Sequence, residues 1–316
     1  MTETIAQPKI VVVCGPTGVG KTGFAIDLAR HFGARILGAD SMQIYRRMDI
    51  GTAKPTPQER AAVTHHLVDF IEPDQPFDAA AYAQRAHRVV QELIAEGILP
   101  LVVGGTGLYI KALIYGLFNS RSADPALRRR LQERAQREGP AALHAFLAHR
   151  DPRAAERIHP NDTYRIVRAL EVATLTGRSI STHHQHHGFA RPRYNALKIG
   201  LSLPRERLYE RIDRRVDMML DQGLKEEVRR LLDAGFGAGL KSMQALGYRH
   251  MIAYLQGDCT WEETVRLLKR DHRRYAKRQL TWFGADAEVH WLEPDQQQAA
   301  CQLVSAFLNT ADRRGG

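Results

Sequence analysis

What the chain lacks narrows it first. Its 316 residues include three cysteines, Cys14, Cys259 and Cys301. They are too few and too widely spaced for a disulfide framework or a metal knuckle, and their odd number fits a reducing compartment, so a cytoplasmic protein is expected. Long apolar runs are missing too. The longest, 10–14 and 98–103, fall far short of the ~20 residues that cross a bilayer, so no membrane partner is expected. Residues 1–7 are polar and acidic, without a basic stretch leading into an apolar one, and no secretory leader is expected. Acidic residues are the short side of the charge balance: 35 Asp+Glu stand against 45 Lys+Arg, a formal net charge of +10. That surplus points to an anionic partner or to a solvated basic surface. A hydrophobic share of 44% excludes wholesale disorder and supplies a sizeable core.

What is present begins as alternating strands and helices. A branched apolar run over 9–13 ends in a glycine-rich turn, and a helical pattern follows over 22–31. Further strands are expected over 34–39, 66–71 and 99–103, with helices over 79–96 and 106–115. Strands alternating with helices imply a parallel, doubly wound sheet. From residue 121 to about 187 no strand is legible. Arg-rich helices are expected there, over 125–137, 140–148 and 163–176, and a strand over 195–201 then returns to the sheet. The division is therefore 1–120 with 191–316 as an α/β core and 121–190 as a helical insertion. Later helices are expected over 205–222, 225–234, 248–255 and 260–283, then a strand over 288–292 and a helix over 296–310. The fold class is α/β, a P-loop NTPase-like parallel sheet core with a helical insertion domain.

The strongest motif is Gly15-Pro16-Thr17-Gly18-Val19-Gly20-Lys21-Thr22, which fits G-x-x-x-x-G-K-[ST] between a strand and a helix. Chance would produce it in roughly one chain in a hundred of this length. Its glycines let backbone N–H groups and a helix N-terminus wrap a phosphate, Lys21 adds a mobile cation, and the Thr22 hydroxyl is placed to ligate Mg²⁺. The strand over 99–103 ends in glycines without a carboxylate. The acid lies instead at the end of the second strand, as Asp40, which an open parallel sheet brings to the same crevice. Asp40 suits a general base, a water-mediated metal contact, or an ordinary turn acid. Two enzymes fit: a kinase moving a γ-phosphoryl group, and an alkyl transferase clamping a diphosphate leaving group. An RNA-binding module with an idle cradle is a third reading. The cluster His183-His184-Gln185-His186-His187 lacks the spacing of a dedicated metal site and reads as a solvated loop.

Further segments, in order, carry a resemblance. They are Ala39-Asp40-Ser41-Met42-Gln43-Ile44-Tyr45, Gly51-Thr52-Ala53-Lys54-Pro55, His65-His66-Leu67-Val68-Asp69 and Gly104-Gly105-Thr106-Gly107-Leu108-Tyr109. Downstream follow Asn161-Asp162 with Arg165 and Arg168-Ala169-Leu170-Glu171-Val172, then Ala245-Leu246-Gly247-Tyr248-Arg249 and Lys277-Arg278-Gln279-Leu280-Thr281-Trp282. Together with the cradle this set resembles the bacterial tRNA dimethylallyltransferases. The resemblance implies transfer of a dimethylallyl group from dimethylallyl diphosphate to N6 of adenosine 37, beside the tRNA anticodon. It implies Asp40 as base, Thr17 donating to the bridging oxygen, Lys21 and Arg215 (or Arg211) on the diphosphate, and Mg²⁺ on Thr22. Contacts to the anticodon stem-loop would come from Ser41, Met42 and Gln43 beside Asp40, from Thr106, and from Arg128. Tyr164, Arg165, Ile166, Val167 and Arg168 would add to them, as would Gln244, Ala245, Leu246, Gly247, Tyr248 and Arg249. The last segment would be Lys277, Arg278, Gln279, Leu280, Thr281, Trp282, Phe283 and Gly284. Departures from the family pattern are Val19 where Ser is frequent, Tyr164 where Gln is usual, and Phe283-Gly284 where an Arg is common. A monomer is expected.

The charge surplus is localised. Residues 1–120 hold 11 basic and 11 acidic residues, 121–200 hold 15 against 7, and 201–316 hold 19 against 17. Residues 266–278 alone carry seven basic residues against Asp271. The excess thus sits in the insertion and one late helix, the elements expected to meet RNA.

Overall fold

A computed structural model describes residues 7–116, 124–182 and 192–310. The His183–His187 cluster and the first six residues lie outside the described residues. The chain divides into two compact units, Met1–Ile114 with Arg193–Gly316, and Tyr115–Pro192.

The first unit is built on a six-stranded sheet in the order β3-β2-β4-β1-β5-β6, every pairing parallel. The strands are β1 (Lys9–Cys14), β2 (Arg35–Gly38), β3 (His65–His66), β4 (Pro100–Gly104), β5 (Asn195–Leu201) and β6 (Val289–Leu292). β1 is central: Cys14 lies opposite Gly104 on one side and Gly200 on the other. Helices on both faces explain why it reads as an unbroken apolar run, with Ile10 to Val13 fully buried. The helices are α1 (Lys21–Phe32), α2 (Pro57–Ala62), α3 (Ala79–Ala95) and α4 (Gly107–Tyr115), all before β5. The chain then runs from β1 to β2 on one side and returns to β5 on the other. Such a reversal opens a crevice beyond the carboxyl ends of the strands.

The α/β class and the parallel sheet are as the sequence implies. Two local features differ. The third strand is two residues long rather than the expected 66–71, because Leu67 and Asp69 both take a left-handed conformation (φ 61°) that breaks the extended run. Asp69 is held there by Lys54 (2.7 Å) and Arg60 (3.2 Å). The short helix α2 was not expected, although its start carries a capping box, Thr56 with Glu59, and a proline at its first position.

The second unit contains α5 (Pro125–Glu138), α6 (Pro140–Arg150), α7 (Pro152–Arg157) and α8 (Thr163–Thr176). Each of the first three opens on a proline, and Asp124, Asp151 and Asp162 cap α5, α7 and α8 with side-chain oxygens. Their apolar faces meet in a small core of Leu131, Leu143, Leu147, Ile166, Val167 and Leu170. The unexpected α7 carried the same Asp-Pro signal and was too short to show a helical period.

After β5 the first unit continues through α9 (Arg205–Asp221), α10 (Leu224–Asp233), α11 (Tyr248–Leu255) and α12 (Trp261–Gly284), with α13 (Gln297–Asn309) last. Ion pairs join α9 to α12: Arg273 meets both oxygens of Asp213 (2.6 and 2.7 Å), and Lys269 meets Asp217 (2.6 Å). These two long helices wall one side of the crevice. Among the described residues no helix is long and apolar enough to cross a membrane.

Candidate active site

The crevice is a cavity of about 770 Å³ at the strand ends. Its floor is the loop from β1 to α1. Gly15 there has φ 141°, and a Cβ on it would fall 2.5 Å from the Leu201 carbonyl oxygen of β5, so only glycine lets the loop run this close to the sheet. Val19 is fully buried in the core, so this position offers an anion its backbone and not a side chain. The Lys21 ammonium folds back onto the loop, donating to the carbonyls of Gly15 (3.0 Å) and Pro16 (2.7 Å). Burial lowers its pKa from 10.5 to about 8; the neighbouring Arg215 adds to this and Asp40 opposes it. Thr17 and Thr22 line the same cavity.

The facing wall is the turn after β2. Asp40 Oδ1 accepts from the amides of Met42 (2.8 Å) and Gln43 (3.4 Å), which ties the carboxylate to its own loop. Ser41 N–H donates to Thr106 Oγ1 (3.0 Å). Gln43 uses its amide NH₂ on the carbonyls of Thr52 (3.2 Å) and Ala53 (3.0 Å), leaving Oε1 as its acceptor. Behind this loop, buried Glu227 accepts from the amides of Asp49, Ile50 and Gly51 and from the Tyr248 hydroxyl (2.6 Å). A second buried charge, Lys54, binds Asp49, Asp69 and the Tyr45 carbonyl. The segment that follows the Asp40 turn, residues 45–51, is thus held by two satisfied charge networks.

Helices α9 and α12 close the cavity. Arg211, Arg214, Arg215 and Met218 line it from α9, with Arg211 also donating to the Val19 carbonyl (3.0 Å). Arg215 Nε is buried without a hydrogen-bond partner. Desolvation lowers the pKa of this guanidinium and the charge of Asp40 opposes that. His272, Tyr275, Arg278 and Gln279 come from α12. Burial drops the His272 pKa to about 4, so the ring is neutral, with Nδ1 against the Leu268 carbonyl (3.0 Å). Burial and then the charge of Asp40 raise the pKa of Tyr275. Lys21, Arg211, Arg214, Arg215, Arg249 and Arg278 face one carboxylate, Asp40, among the lining residues. A cavity with that balance attracts an anion and suits one carrying several charges.

The structure brings about half of the expected residues together around one cavity. Thr17, Gly18, Gly20, Lys21, Thr22, Asp40, Ser41, Met42, Gln43, Arg211, Arg215, Gln244, Ala245, Leu246, Arg249, Arg278 and Gln279 all border the cavity. Others build the fold instead. Tyr248 is buried on Glu227, Gly247 begins α11, and Phe283 is buried. Ile166 and Val167 sit in the core of the second unit. Thr106 acts on the Ser41 amide rather than lining the cavity. Gln279 is 5% exposed, with both ends of its amide engaged inside the protein on the Thr17 amide and the Gly105 carbonyl. Lys277, Arg278, Thr281, Trp282 and Gly284 remain exposed, and Leu280 is half-buried. In the second unit Tyr164 is 76% exposed beside a small hollow that Arg128 and Arg168 also line. Both arginines bind the fully buried Glu171 (2.8 and 2.7 Å). Burial alone would raise the Glu171 pKa, yet the two guanidiniums outweigh it and hold the carboxyl below its ordinary range. Arg165 pairs with Asp162 at 3.4 Å. Sequence reading missed Arg214, Met218, His272 and Tyr275. The one available signal was spacing, since 272, 275 and 279 fall on one face of a helix.

Comparison with known proteins agrees with this geometry. The sequence matches the IPP transferase family over residues 43–286. It is 54% identical over 308 residues to "tRNA dimethylallyltransferase 2" of Syntrophus aciditrophicus, covering 98% of this chain and 99% of that protein. It is likewise 54% identical to the tRNA dimethylallyltransferase of Desulfosudis oleivorans, over 96% of each chain. Among solved structures, the tRNA isopentenylpyrophosphate transferase of Bacillus halodurans is 40% identical and superposes with a TM-score of 0.71, covering 96% of this chain and 97% of that one. A eukaryotic dimethylallyltransferase, captured acting on tRNA, is 26% identical with a TM-score of 0.83, covering 97% of this chain and 81% of that one. The chain belongs to the IPP transferase family, a family of transferases whose matching members carry the name tRNA dimethylallyltransferase.

Proposed function

We propose that this protein transfers the dimethylallyl group of dimethylallyl diphosphate to N6 of adenosine 37 in the anticodon loop of tRNA, releasing diphosphate. The observation that carries this reading is the meeting, in one cavity, of a phosphate loop, six cationic side chains and a single carboxylate on the facing wall. The C1–O bond of the donor breaks and its electron pair leaves with the diphosphate. The N6–C1 bond forms, and the N6 proton passes to Asp40. An allylic carbon tolerates developing positive charge when the leaving group is strongly neutralised. Loop amides, Lys21 and Arg215 supply that neutralisation, and the Thr17 hydroxyl donates to the bridging oxygen.

The residues present suit Mg²⁺. Thr22 and Asp40 offer oxygen donors in the cavity, whereas no cluster of His, Cys, Asp and Glu among the described residues would form a cage of its own. Such a hard cation is typically shared between one or two protein oxygens and phosphate oxygens. Bound there through Thr22, it would add charge to neutralise the leaving diphosphate. Adenosine 37 reaches Asp40 only when flipped from its loop, at a cost of a few kcal/mol that is least in an unpaired segment. Gln43 Oε1, with its NH₂ engaged by the loop, accepts from the adenine edge. Exposed Tyr164 and Trp282 offer stacking faces, with Arg165, Lys277 and Arg278 for phosphates.

The test supplies Mg²⁺, an unmodified anticodon hairpin and labelled dimethylallyl diphosphate or γ-labelled ATP. Label entering the RNA from the prenyl donor supports the reading. Label moving only from ATP replaces it with phosphoryl transfer.

A further inference from the structure

One residue in the cavity wall holds no ligand-like position yet touches both sides of the site. Gln279, on α12, accepts the Thr17 amide proton through Oε1 (2.8 Å) and donates through Nε2 to the Gly105 carbonyl (2.9 Å). Thr17 belongs to the phosphate loop. Gly105 belongs to the turn after β4, whose next residue, Thr106, takes the Ser41 amide beside Asp40 (3.0 Å) and also donates its amide to the Ala39 carbonyl (3.1 Å). The side chain therefore spans from the leaving-group side to the base side. The fit is close: a Cβ on Gly105 would fall 2.2 Å from Gln279 Nε2, so glycine is required there for the amide to seat. One turn earlier on the same helix face, Tyr275 meets the Thr106 side chain. Three residues later the Trp282 indole covers Gly107 so closely that a Cβ would lie 2.0 Å from Nε1. Helix α12 is thus anchored to the 104–107 turn by three successive side chains, of which only Gln279 also holds the phosphate loop.

We propose that Gln279 is a positioning residue, which sets the distance between the phosphate loop at Thr17 and the Asp40 loop. The proposal rests on the prenyl-transfer reading only for its kinetic consequence. In that reaction the allylic carbon must sit between a clamped diphosphate and a nucleophile aligned on Asp40. A displacement of about 1 Å in such an alignment costs roughly 100-fold in rate. Binding of either ligand alone does not need the spacing, because Lys21 and the arginines keep their charges at the cavity whatever the gap.

Replacing Gln279 by Met preserves the volume and removes both hydrogen bonds. For Gln279→Met we expect transfer at saturating substrates to slow roughly 100-fold. KM for dimethylallyl diphosphate and calorimetric binding of inorganic pyrophosphate should be almost unchanged, the signature of an interaction used in the transition state alone. A second pair of variants approaches the same contact from its other end. Gly105→Ala displaces the Gln279 amide, so it should slow transfer similarly, but do little further harm in a Gln279→Ala background, where that space is empty. Unchanged transfer in Gln279→Met overturns the proposal. So does slow transfer with an equal loss of pyrophosphate affinity, and so do additive effects of Gly105→Ala and Gln279→Ala.

A readout independent of the reaction separates this proposal from the functional reading. Hydrogen exchange in Gln279→Met should rise in the phosphate loop and also across 40–43, where the Ser41 amide depends on the 104–107 turn. Protection over 40–43 equal to that of the native protein refutes the spacing role. It does so even if the native protein transfers no prenyl group.

Discussion

Two clusters of basic side chains, one in each unit, are used in opposite ways. In the helical unit Arg128 and Arg168 converge on Glu171, which is fully buried, and the three charges are one closed structural cluster. In the α/β unit Lys21 meets only loop carbonyls, and Arg215 buries an Nε with no partner beside a cavity whose lining contains one acid. A cation already matched to a buried carboxylate has less left to offer a ligand. One half-buried against carbonyls keeps a charge that desolvation disfavours, and its pKa is lowered to about 8 accordingly. Both patterns read as "basic" in the sequence. Only the second leaves charge in a cavity unmatched by a carboxylate.

Four measurements break or sharpen that contrast. The largest effect is expected at the lone carboxylate. Asp40→Asn keeps an acceptor for the Met42 amide and loses the base, so turnover should fall by about 10²–10⁴-fold with hairpin affinity retained. Lost affinity with turnover preserved at saturation would contradict the assignment. Next comes the closed cluster. Glu171→Gln leaves two guanidiniums without their counter-charge and should destabilise the helical unit by at most about 3 kcal/mol, since both side chains reach solvent. Hydrogen exchange in α5 and α8 should report it while pyrophosphate binding in the other unit is unaffected.

The third concerns pH. The Lys21 ammonium is charged below about 8 and neutral above it, so affinity for inorganic pyrophosphate should be full on the acid side and fall as pH rises through that value. Lys21→Arg, always charged, should abolish the fall. Arg215→Met should shift it to higher pH, because the Arg215 charge helps push the ammonium down. A pyrophosphate affinity in Arg215→Met that declines at the same pH as in the native protein would show that the two charges do not interact. The smallest effect is the salt slope of RNA binding. Arg278→Ala and Lys277→Ala should each reduce it by about one, as for single phosphate contacts. Arg273→Ala is a poor probe of RNA because it breaks the Asp213 pair between α9 and α12, and its damage should appear as lowered stability.

Much of this was legible in the chain. A strand, G-x-x-x-x-G-K-T and a helix specify local backbone shape, and the observed β1 and α1 follow from it within a residue. Asp40 could be assigned to the same crevice because parallel strands present their carboxyl ends together. The segment 277–284 shows the opposite case. Its basic and aromatic letters suggest RNA contact throughout, yet the helical period sends Gln279 and Phe283 inward and Lys277, Arg278 and Trp282 outward. A run of letters does not reveal which neighbour a buried amide finds. Likewise nothing local indicates that Glu227, 176 residues away from Gly51 in sequence, holds the amides of Asp49, Ile50 and Gly51.

Local letters suffice for a parallel, doubly wound sheet, a glycine-rich loop between strand and helix, and an acid at the end of the second strand. All three arise from short-range rules: apolar runs that must be buried, glycines that free the backbone, and the shared direction of parallel strands. The folded packing sets which cations are matched by a carboxylate and which line the cavity, and it places one glutamine between the Thr17 loop and the turn after β4. Those outcomes depend on partners far apart in the chain. Desolvation drives most buried polar groups to find one, and only the folded packing says where.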